Sequence, residues 1–339
     1  MPDNDPATRR PTLAHVAEAA GVSVALVSIV MRGAKGASDA TREKVRAAAR
    51  ELGYRPDSRA RSLRSRRTRL LGVTFNISQP FHAEIVDAVY SAAQTEGYEV
   101  VLSAVGPNRE EQRAVESLLD SGCEALIMVS PESSASALQS YVRQVPVVSM
   151  LREVDGVDVV RTDDASGIFQ AVEHLVQLGH RRISHVDGGT AVSADVRRQA
   201  YEEAMRSRRL SQFIRIVPGG LDEQDGANAV PLLLDGADPH GRPTAVVVFN
   251  DHSALGVIDA LVRRGITVPG DISVIGYDNS QFARLAHISM TSVSQNVQAL
   301  ACSAVACAVA RLSAEEPTRL LHTPSLKVRT STAQPRQHE

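Results

Sequence analysis

Apolar residues recur at helical spacing from Leu13 to about Met31. The first set stands at i, i+3, i+4 and i+7 and consists of Leu13, Val16, Ala17 and Ala20. It predicts a short amphipathic helix that Thr12 can cap and Gly21 ends. Ser23 can cap a second helix that runs through about Met31. Two helices separated by so few residues predict a helix-turn-helix.

A third helix is predicted after the turn-rich stretch at 32–36. Ser38 and Asp39 can open it, and its inner face would carry Val45, Ala48, Ala49 and Leu52. Three such helices can close a small core, although any small helical bundle shows this spacing. The hydrophobic pattern alone therefore leaves a helix-turn-helix and a generic bundle as two interpretations.

A basic segment follows the third helix. Pro56 stops that helix and Asp57 can cap a short new one, on which Ala60, Leu63 and Arg64 share a face. One interpretation is a solvated basic linker. The other, which we favour, is a hinge helix whose leucine enters a DNA minor groove while the arginines hold phosphates.

From residue 70 the pattern alternates between strand-like and helical stretches. The strand-like runs cover 70–75, 99–104, 125–129, 146–149, 182–186, 245–249 and 273–276. Alternation of this kind predicts parallel sheets covered by helices. In open α/β sheets, ligands bind beyond the carboxyl ends of the strands. Asn250, Asp251, Tyr277 and Asp278 occupy such positions and are candidate ligand-binding residues.

Composition and charge point to separate domains with different partners. The chain has 339 residues, of which 43% are apolar, and this is enough for two or three domains with their own cores. The formal net charge of −2 is unevenly distributed. Residues 1–70 contain 15 Lys and Arg against 7 Asp and Glu, a balance of +8, which leaves −10 for the rest. The N-terminal part is therefore suited to a polyanion.

The motifs of several other protein classes do not occur in the sequence. It contains no GxSxG elbow, Walker loop, HExxH or GxGxxG after the first strand, so no enzyme is expected. Cys123, Cys302 and Cys307 form no CxxC pair and stand at no metal-ligand spacing, so neither a metal nor a cofactor is expected. No run of eighteen apolar residues occurs and the first ten residues are polar, which predicts a cytoplasmic protein without a membrane partner.

The order of motifs along the chain resembles that of the LacI/GalR (lactose and galactose repressor) family. In the N-terminal part the matching motifs are Thr12-Leu13-Ala14-His15-Val16-Ala17, Ala20-Gly21-Val22-Ser23, Val27-Ser28 and Gly53-Tyr54-Arg55-Pro56. In the remainder they include Leu178-Gly179-His180-Arg181-Arg182-Ile183, Asn250-Asp251 and Ile272-Ser273-Val274-Ile275-Gly276-Tyr277-Asp278. The resemblance covers about residues 11–330.

The resemblance implies an α/β fold with a small all-α headpiece. The headpiece would be a three-helix, helix-turn-helix DNA-binding domain, joined to a two-lobed core similar to periplasmic binding proteins, with parallel sheets flanked by helices. The expected parts are a disordered tail at 1–10, the headpiece at 11–56, a hinge helix and linker at 57–69, the core at 70–330 and a flexible tail at 331–339. The first lobe would hold about 70–160 and 291–320, and the second about 161–290 and 321–330.

The resemblance also implies a set of DNA-contacting residues: Thr12, Ser23, Val24, Ala25, Ser28, Ile29, Arg32, Ser38, Thr41, Tyr54, Asp57, Ala60, Leu63 and Arg64. This sequence departs from the family where Ile29 replaces the usual arginine and Leu26 the usual threonine. Bases are normally discriminated by bidentate hydrogen bonds from Arg, Asn or Gln, whereas Val24 and Ala25 offer methyl groups to thymine. The operator sequence is therefore left open.

The effector-binding residues implied by the resemblance are Phe81, His82, Asp163, Asp164, Arg197, Asn250, Asp251, Tyr277 and Asp278. Arg197 offers a planar guanidinium with five donors, which suits neighbouring hydroxyls or a carboxylate. Asp251 also fits the simpler role of a helix cap. The chain has no tryptophan, which weakens the case for a saccharide because only Phe81, Phe249 or Phe282 could stack on a sugar face, but it also has no cation cluster for a phosphorylated ligand. A neutral sugar or polyol is the expected effector.

Together these features predict a sequence-specific transcription regulator, and most simply a repressor of carbohydrate-utilisation genes. A homodimer would bind a palindromic double-stranded DNA operator and be released by the small effector. The first alternative is a ligand that strengthens DNA binding, as in purine-type members of the family. The second is a transporter's two-lobed solute-binding protein, which would need a signal peptide and no DNA-binding head. Residues 331–339 lack a leucine heptad, so a dimer is expected.

Overall fold

The computed structural model describes residues 11–31, 33–54, 67–235 and 241–336. They belong to two compact units, Met1–Thr68 and Arg69–Glu339. Five of the expected DNA-contacting residues lie outside the described residues, namely Arg32, Asp57, Ala60, Leu63 and Arg64. The expected hinge helix lies outside them as well, so its role stays a prediction.

The described residues of the N-terminal unit form three helices, α1 (Leu13–Ala20), α2 (Val24–Met31) and α3 (Asp39–Glu51). The Thr12 hydroxyl accepts a hydrogen bond from the His15 amide, and His15 Nδ1 accepts one from the Thr12 amide, which closes the first turn of α1. Gly21, with φ of 58°, ends α1 in the left-handed region that favours glycine. The helices share a core of small apolar residues: Val16, Ala17, Ala20, Val27, Val30, Val45, Ala48 and Ala49. The predicted three-helix headpiece is confirmed.

The first lobe of the C-terminal unit is built on a sheet of six parallel strands. They are β1 (Leu70–Asn76), β2 (Glu99–Val105), β3 (Ala125–Val129), β4 (Val147–Met150), β5 (Asp158–Thr162) and β11 (Arg319–His322). Their order across the sheet is β11-β5-β4-β3-β1-β2. One face packs on α4 (Pro80–Thr95) and α12 (Val297–Arg311), and the other on α5 (Glu111–Asp120) and α6 (Ala135–Val142). This lobe therefore has its own two-sided core.

The second lobe repeats this architecture with one reversed edge strand. Its strands are β6 (Ile183–Val186), β7 (Arg215–Val217), β8 (Ala245–Val248), β9 (Ser273–Asp278), β10 (Thr291–Ser294) and β12 (Ser325–Lys327). Their order is β12-β10-β9-β8-β6-β7, and only β12 is antiparallel to its neighbour. Helices α7 (Asp164–Gln177) and α8 (Ala194–Ser207) cover one face, and α9 (Glu223–Asp235) and α10 (Asp251–Arg263) the other. A single helical turn, α11 (Gln281–Arg284), follows β9.

The chain crosses between the two lobes three times. β5 is followed by α7, β10 by α12, and β11 by β12. The crossovers come after Thr162, Ser294 and His322, two to four residues beyond the expected positions near 160, 290 and 320. This corrects the expected lobe boundaries, because Thr291–Ser294 pairs in parallel with β9 and so lies in the second sheet.

Residues 331–336 are not the flexible tail that was expected. Ser331 is 2% exposed, and its hydroxyl accepts a hydrogen bond from the Thr291 amide and donates one to the Val274 carbonyl. The Ala333 amide donates to the Ser273 hydroxyl at 3.1 Å. This segment satisfies backbone groups where β9 and β10 begin, and buried backbone groups need such partners.

Within the described ranges, no single helix is long and apolar enough to cross a bilayer. The one pair of helices that meets both criteria jointly is α1 with α2, and these two are bent by 104°.

Candidate functional site

A cleft lies between the two lobes of the C-terminal unit, where strands of both sheets reach their carboxyl ends. Its outer part has a volume of about 1340 Å³ and its inner chamber one of about 80 Å³. Leu151 from the first lobe and Val192 and Ser193 from the second line both parts. The Ser193 hydroxyl donates a hydrogen bond to the Leu151 carbonyl at 3.3 Å, so the lobes touch across the cleft. Ligands of open α/β sheets occupy this position.

Arg197, on α8, is the buried cation of the inner chamber. Its Nε donates to Asp164 Oδ1 at 2.8 Å, and its Nη1 donates to the Phe249 carbonyl at 2.6 Å. The side chains of Arg197 and Asp164 are only 7% and 6% exposed. Burial, the largest single influence, would lower the pKa of Arg197, but Asp164, Tyr277 and Asp278 together outweigh it and the pKa is raised. The pair places two opposite charges at the cleft without a net charge.

Two aromatic rings fix the orientation of this guanidinium. The Cζ atom of Arg197 lies 3.6 Å from the centre of the Tyr277 ring and 4.6 Å from that of Phe249. A Cβ atom at Gly188 would lie 2.6 Å from the Phe249 ring, and one at Gly167 would lie 2.7 Å from the Tyr277 hydroxyl. Both rings therefore need a glycine behind them, and packing as well as hydrogen bonding sets the direction of Arg197.

Asp278, the last residue of β9, is the second buried ionisable group of the chamber. Its Oδ1 accepts a hydrogen bond from Gln295 Nε2 at 2.6 Å, and Gln295 Oε1 accepts one from the Thr162 hydroxyl at 2.9 Å. Burial raises the pKa of Asp278 well above its ordinary value, although the nearby Arg197 opposes this. Its φ of 107° is a strained conformation for a residue other than glycine, and such strain is common at ligand sites.

His82 and Asn250 add neutral polar groups to the chamber. His82 Nδ1 accepts a hydrogen bond from the Asn76 amide at 3.1 Å, so the neutral ring carries its proton on Nε2. Burial lowers the pKa of His82 to about 4, which keeps the ring neutral near pH 7. Asn250 Nδ2 donates to the Leu221 carbonyl at 3.1 Å. Phe81 lines the chamber beside His82.

Asp163 and Tyr277 were expected in the cleft, but neither lines it. The Asp163 carboxylate caps α7 by accepting a hydrogen bond from the Ser166 amide at 3.0 Å. Tyr277 is fully buried beneath Arg197. Successive strand residues point to opposite faces, so Tyr277 faces the core while the next residue, Asp278, ends the strand at the chamber.

Asp251 is likewise absent from the cleft surface. Its carboxylate is fully buried and accepts hydrogen bonds from the Ser280 amide and the Ser292 hydroxyl, both at 2.6 Å. The helix cap predicted for Asp251 is made instead by Asn250, whose Oδ1 accepts from the Ser253 amide at 2.8 Å. Asp251 therefore holds the segment that follows β9 in place.

Several residues that line the chamber were not singled out from the sequence, among them Asn76, Gln79, Ser130, Leu151 and Gln295. Ser130, Leu151 and Gln295 directly follow β3, β4 and β10, so the carboxyl-end rule finds them once those strands are bounded. Ser130 and Leu151 have φ values of 51° and 65°. Neither is a glycine, so nothing in the sequence signals this conformation.

Most of the candidate DNA-contacting residues of the headpiece are either side chains on α2 or hydroxyls that cap a helix. Val24 and Ala25 are exposed at the start of α2, whereas Ser28 and Ile29 one turn later are half-buried. The hydroxyls of Thr12, Ser23 and Ser38 accept hydrogen bonds from backbone amides that open α1, α2 and α3, at 3.5, 3.2 and 3.3 Å.

The two remaining described residues of this set lie at other places on the headpiece. The Thr41 hydroxyl is 2.8 Å from that of Ser38. Tyr54 packs partly against the helical core. Among the described residues, no group of three His, Cys, Asp or Glu side chains could hold a metal ion.

A headpiece with an exposed helix-turn-helix and a cleft between two α/β lobes define a ligand-responsive transcription regulator. Residues 12–57 match the model of the bacterial regulatory proteins of the lacI family, and residues 172–332 match that of a periplasmic binding protein-like domain. The HTH-type transcriptional regulator GalR of Salmonella typhimurium (strain LT2) is 33% identical over 315 residues, which cover 91% of each chain. The chain belongs to the lacI family of bacterial regulatory proteins, and it is a DNA-binding regulator, not an enzyme.

Solved structures agree with this assignment. A LacI transcriptional regulator from a Rhodococcus species is similar with a TM-score of 0.76 and 42% identity over 78% of this chain and 98% of that one. A lac repressor dimer bound to operator and the anti-inducer ONPF has a TM-score of 0.82 and 30% identity, over 96% and 100% of the two chains. A complex of the regulator CelR with cellobiose has a TM-score of 0.68 and 31% identity, over 95% and 100%.

Proposed function

We propose that this chain is a cytoplasmic repressor of carbohydrate-utilisation genes that acts as a homodimer. Its two headpieces bind a near-palindromic operator, and a small neutral sugar or polyol held in the cleft releases them. Dimer symmetry would then be matched by operator symmetry. A transporter's solute-binding protein would have no DNA-binding head, so this alternative does not explain the headpiece.

The burial and pairing of the ionisable groups in the inner chamber carry the ligand class. Arg197 is neutralised by Asp164, and His82 is neutral because its pKa is about 4. Burial raises the pKa of Asp278 well above its ordinary value, which favours its protonated form. A chamber that offers hydrogen-bonding dipoles without excess charge suits hydroxyl groups better than phosphates or strong acids.

Individual residues take different parts in this proposal. Arg197, Asn250, Asp278 and His82 would contact the hydroxyls of the effector, with Phe81 beside its apolar face. Asp163, Asp251 and Tyr277, which lie behind the cleft surface, and Asp164, which lines its outer part, would hold these groups in position. The related CelR was solved with cellobiose, which supports a saccharide.

The DNA-binding half of the proposal assigns base contacts to the exposed start of α2. Val24, which is 47% exposed, and Ala25 would contact thymine methyl groups. The capping hydroxyls of Thr12, Ser23 and Ser38 lie at helix N-termini, which attract phosphates. Ser28, Ile29, Arg32, Thr41 and Tyr54 would complete this surface, and Asp57, Ala60, Leu63 and Arg64 would form a hinge helix with the leucine in the minor groove.

The first experiment is a thermal-unfolding screen of the full chain against sugars, polyols, purines and small acids. A ligand at a hundred times its Kd stabilises by about 2.7 kcal/mol, which is a shift of several degrees. Stabilisation by a sugar class, followed by loss of binding to an operator selected from random DNA, is the expected result. Stabilisation by a purine together with tighter operator binding would contradict the proposal and favour a co-repressor.

Two substitutions separate the two halves of the function. Leu63→Ala should weaken operator binding at unchanged sugar affinity, whereas Asp278→Asn should weaken sugar binding at unchanged operator affinity. Asp278→Asn is better suited than Arg197→Ala, because removal of Arg197 leaves the buried Asp164 carboxylate without its partner. If Leu63→Ala changed neither operator affinity nor DNA bending, the minor-groove role would be lost.

A further inference from the structure

Glu84 connects the first lobe to the loop that carries Asp278. It lies on α4, and its carboxylate is 23% exposed. Its Oε1 accepts a hydrogen bond from the Gln281 amide at 2.7 Å, and its Oε2 pairs with Arg284 Nη2 at 2.7 Å. Both partners belong to α11 of the second lobe. The two oxygens of one side chain therefore bind the other lobe at two adjacent points.

Arg284 extends this contact towards the effector chamber. While Nη2 binds Glu84, its Nη1 donates to the carbonyl of Asn279 at 2.7 Å. Asn279 directly follows Asp278, and its φ of 53° is also in the left-handed region. One guanidinium thus bridges the first lobe and the backbone next to the chamber carboxylate.

The loop from Asp278 to Ser280 is strained and depends on side chains for its shape. The Asn279 amide donates to the Ser292 hydroxyl at 2.9 Å, and the Ser280 amide donates to Asp251 at 2.6 Å. Arg329 Nη2 donates to Asn279 Oδ1 at 2.6 Å. Two successive non-glycine residues with positive φ persist only where neighbouring contacts hold them. Glu84 acts on this loop from the opposite lobe.

Helix α4 links the same contact to the other wall of the chamber. Its first turn carries Phe81 and His82, which line the chamber, and Glu84 follows within the same helix. A helix moves as a rigid rod, so Phe81 and His82 cannot change their distance from Asp278 without also straining the bonds of Glu84. The two walls of the chamber are therefore mechanically joined.

We infer that Glu84 is a positioning residue that, together with Arg284, holds the lobes closed and sets the position of Asp278 in the absence of ligand. This inference deepens the proposed function, because it makes the affinity for the effector depend on a contact that the effector does not touch. We call the contact of Glu84 with Gln281 and Arg284 the latch. A chain without the latch would have to close its two lobes and reorder the 278–280 loop when the effector binds, and this cost lowers the apparent affinity.

Hydrogen–deuterium exchange of the unliganded full chain tests the latch without knowledge of the effector. Glu84→Ala removes the acceptor of the Gln281 amide and the partner of Arg284. We expect the amides of residues 279–281 to exchange about tenfold faster, while the rest of the second lobe is unchanged. Arg284→Met removes the ion pair with Glu84 Oε2 and the bond to the Asn279 carbonyl but leaves the Gln281 amide bonded to Glu84 Oε1, so it should give a smaller increase over the same residues. Glu84→Gln keeps one acceptor oxygen and should restore part of the protection.

Glu116→Ala is the matched control, because Glu116 pairs with Arg113 at 3.4 Å within the first lobe alone. It should leave the exchange of residues 279–281 unchanged. Unaltered exchange in both Glu84→Ala and Arg284→Met would overturn the inference. So would an increase spread evenly over the second lobe, which would indicate a general loss of stability.

The screen with D-glucose, D-galactose and cellobiose gives a second readout. For a sugar that stabilises the wild-type chain, Glu84→Ala should raise Kd three- to tenfold. An unchanged Kd would contradict the link to affinity. If none of these sugars binds the wild-type chain, the proposed effector class is in doubt, while the exchange experiment still decides the latch.

Discussion

At Arg197 a cation, a carboxylate and two aromatic rings share a site from which water is almost excluded. Asp164 lies 2.8 Å away, and the Phe249 and Tyr277 rings flank the guanidinium. The energy of such a pair is asymmetric. Burying both charges costs desolvation that their attraction largely offsets, but removing one charge leaves the other buried without compensation.

Arg197→Met is therefore expected to reduce the free energy of unfolding by about 3 to 5 kcal/mol. The double variant Arg197→Met/Asp164→Asn should recover at least half of this loss, because the unpaired charge is removed too. Urea unfolding measures both. As a control, Arg206→Met breaks an exposed pair with Glu202 and should cost less than about 1 kcal/mol. A double variant no more stable than the single one would contradict this account of the pair.

Asp251 gives the core a predictable pH dependence. Burial raises its pKa from 3.8 to about 7, against the hydrogen bonds from Ser292 and Ser280 that favour the ionised form. The folded chain therefore binds a proton here between about pH 4 and 7 that the unfolded chain does not. Its contribution to stability is fully present below about pH 4 and is lost as the pH rises towards 7.

Asp251→Asn should flatten this dependence, because an amide has no proton to lose at these pH values. The variant should gain stability relative to the wild type as pH rises from 4 to 7, by on the order of 2 to 4 kcal/mol, with no further gain above pH 7. Some pH dependence of the stability should persist in the variant, because the pKa of Asp278 is raised as that of Asp251 is. Asp259→Asn, at an exposed carboxylate on the same helix, is the control. A constant difference between variant and wild type would refute the assignment.

The sequence placed some site residues correctly at the cleft and others wrongly. Asn250 and Asp278 were correctly placed at the cleft, since a residue after a parallel strand lies at the ligand edge whatever its neighbours are, whereas Arg197, which lies within α8, was placed there by the family resemblance. Tyr277 was misplaced by one position, and in a strand one position reverses the face. Asp251 was misplaced because its side chain, in the first turn of α10, points inward and bonds Ser292 on β10. No local sequence pattern reveals this contact.

At the scale of elements, α9 and α10, which cover one face of the second sheet, pack closely against each other. A Cβ atom at Gly226 would lie 1.9 Å from the Ser253 carbonyl oxygen, and one at Gly256 would lie 1.9 Å from that of Glu223. Each glycine faces the first turns of the other helix. The close crossing therefore requires the absence of both side chains.

Gly256→Ala should destabilise the core despite the higher helix propensity of alanine. Propensity favours alanine by about 1 kcal/mol, but a contact of this length forces the backbones apart at a cost of about 3 kcal/mol or more. The expected net loss of about 2 kcal/mol can be measured by thermal unfolding. Gln224→Ala, on the exposed face of α9, should stay within about 0.5 kcal/mol of the wild type. A neutral Gly256→Ala would show that the helices can move apart freely.

The sequence located strands with a continuous apolar run better than strands interrupted by polar residues. Seven apolar runs located seven of the twelve strands among the described residues, whereas β5 (Asp158–Thr162) and β10 (Thr291–Ser294) were missed although they are buried. Strand β11 is mostly exposed and β12 has only three residues, so neither has a readable period. The lobe crossovers follow β5, β10 and β11, none of which was located from the sequence, and for this reason the expected boundaries fell two to four residues early.

At the scale of the whole molecule, the two compact units keep their hydrophobic cores separate. One apolar cluster belongs to the headpiece, and the other four belong to the C-terminal unit. Charge is divided in the same way, with +8 in residues 1–70 and −10 in the rest. Stability of the core and affinity for DNA should therefore be separable.

A chain that begins at Arg69 should unfold in urea with the same main midpoint as the full chain. It should also lose binding to generic double-stranded DNA at low salt, because the net positive segment before Arg69 is gone and the remaining chain is net negative. Fluorescence anisotropy with a labelled duplex measures the second effect. A large fall in the urea midpoint would show that the headpiece contributes to the stability of the core.

Because the chain crosses between the lobes three times, neither lobe can be completed during synthesis until the last residues have been added. Both edge strands β11 and β12, and the segment 331–336 that seals the start of β9, come from the last residues to be synthesised. At 5 to 20 residues per second, they follow the headpiece by on the order of tens of seconds. During translation the nascent chain thus has a DNA-binding fold before it has the means to sense a ligand. A message cut short near its 3′ end would yield a headpiece that nothing regulates.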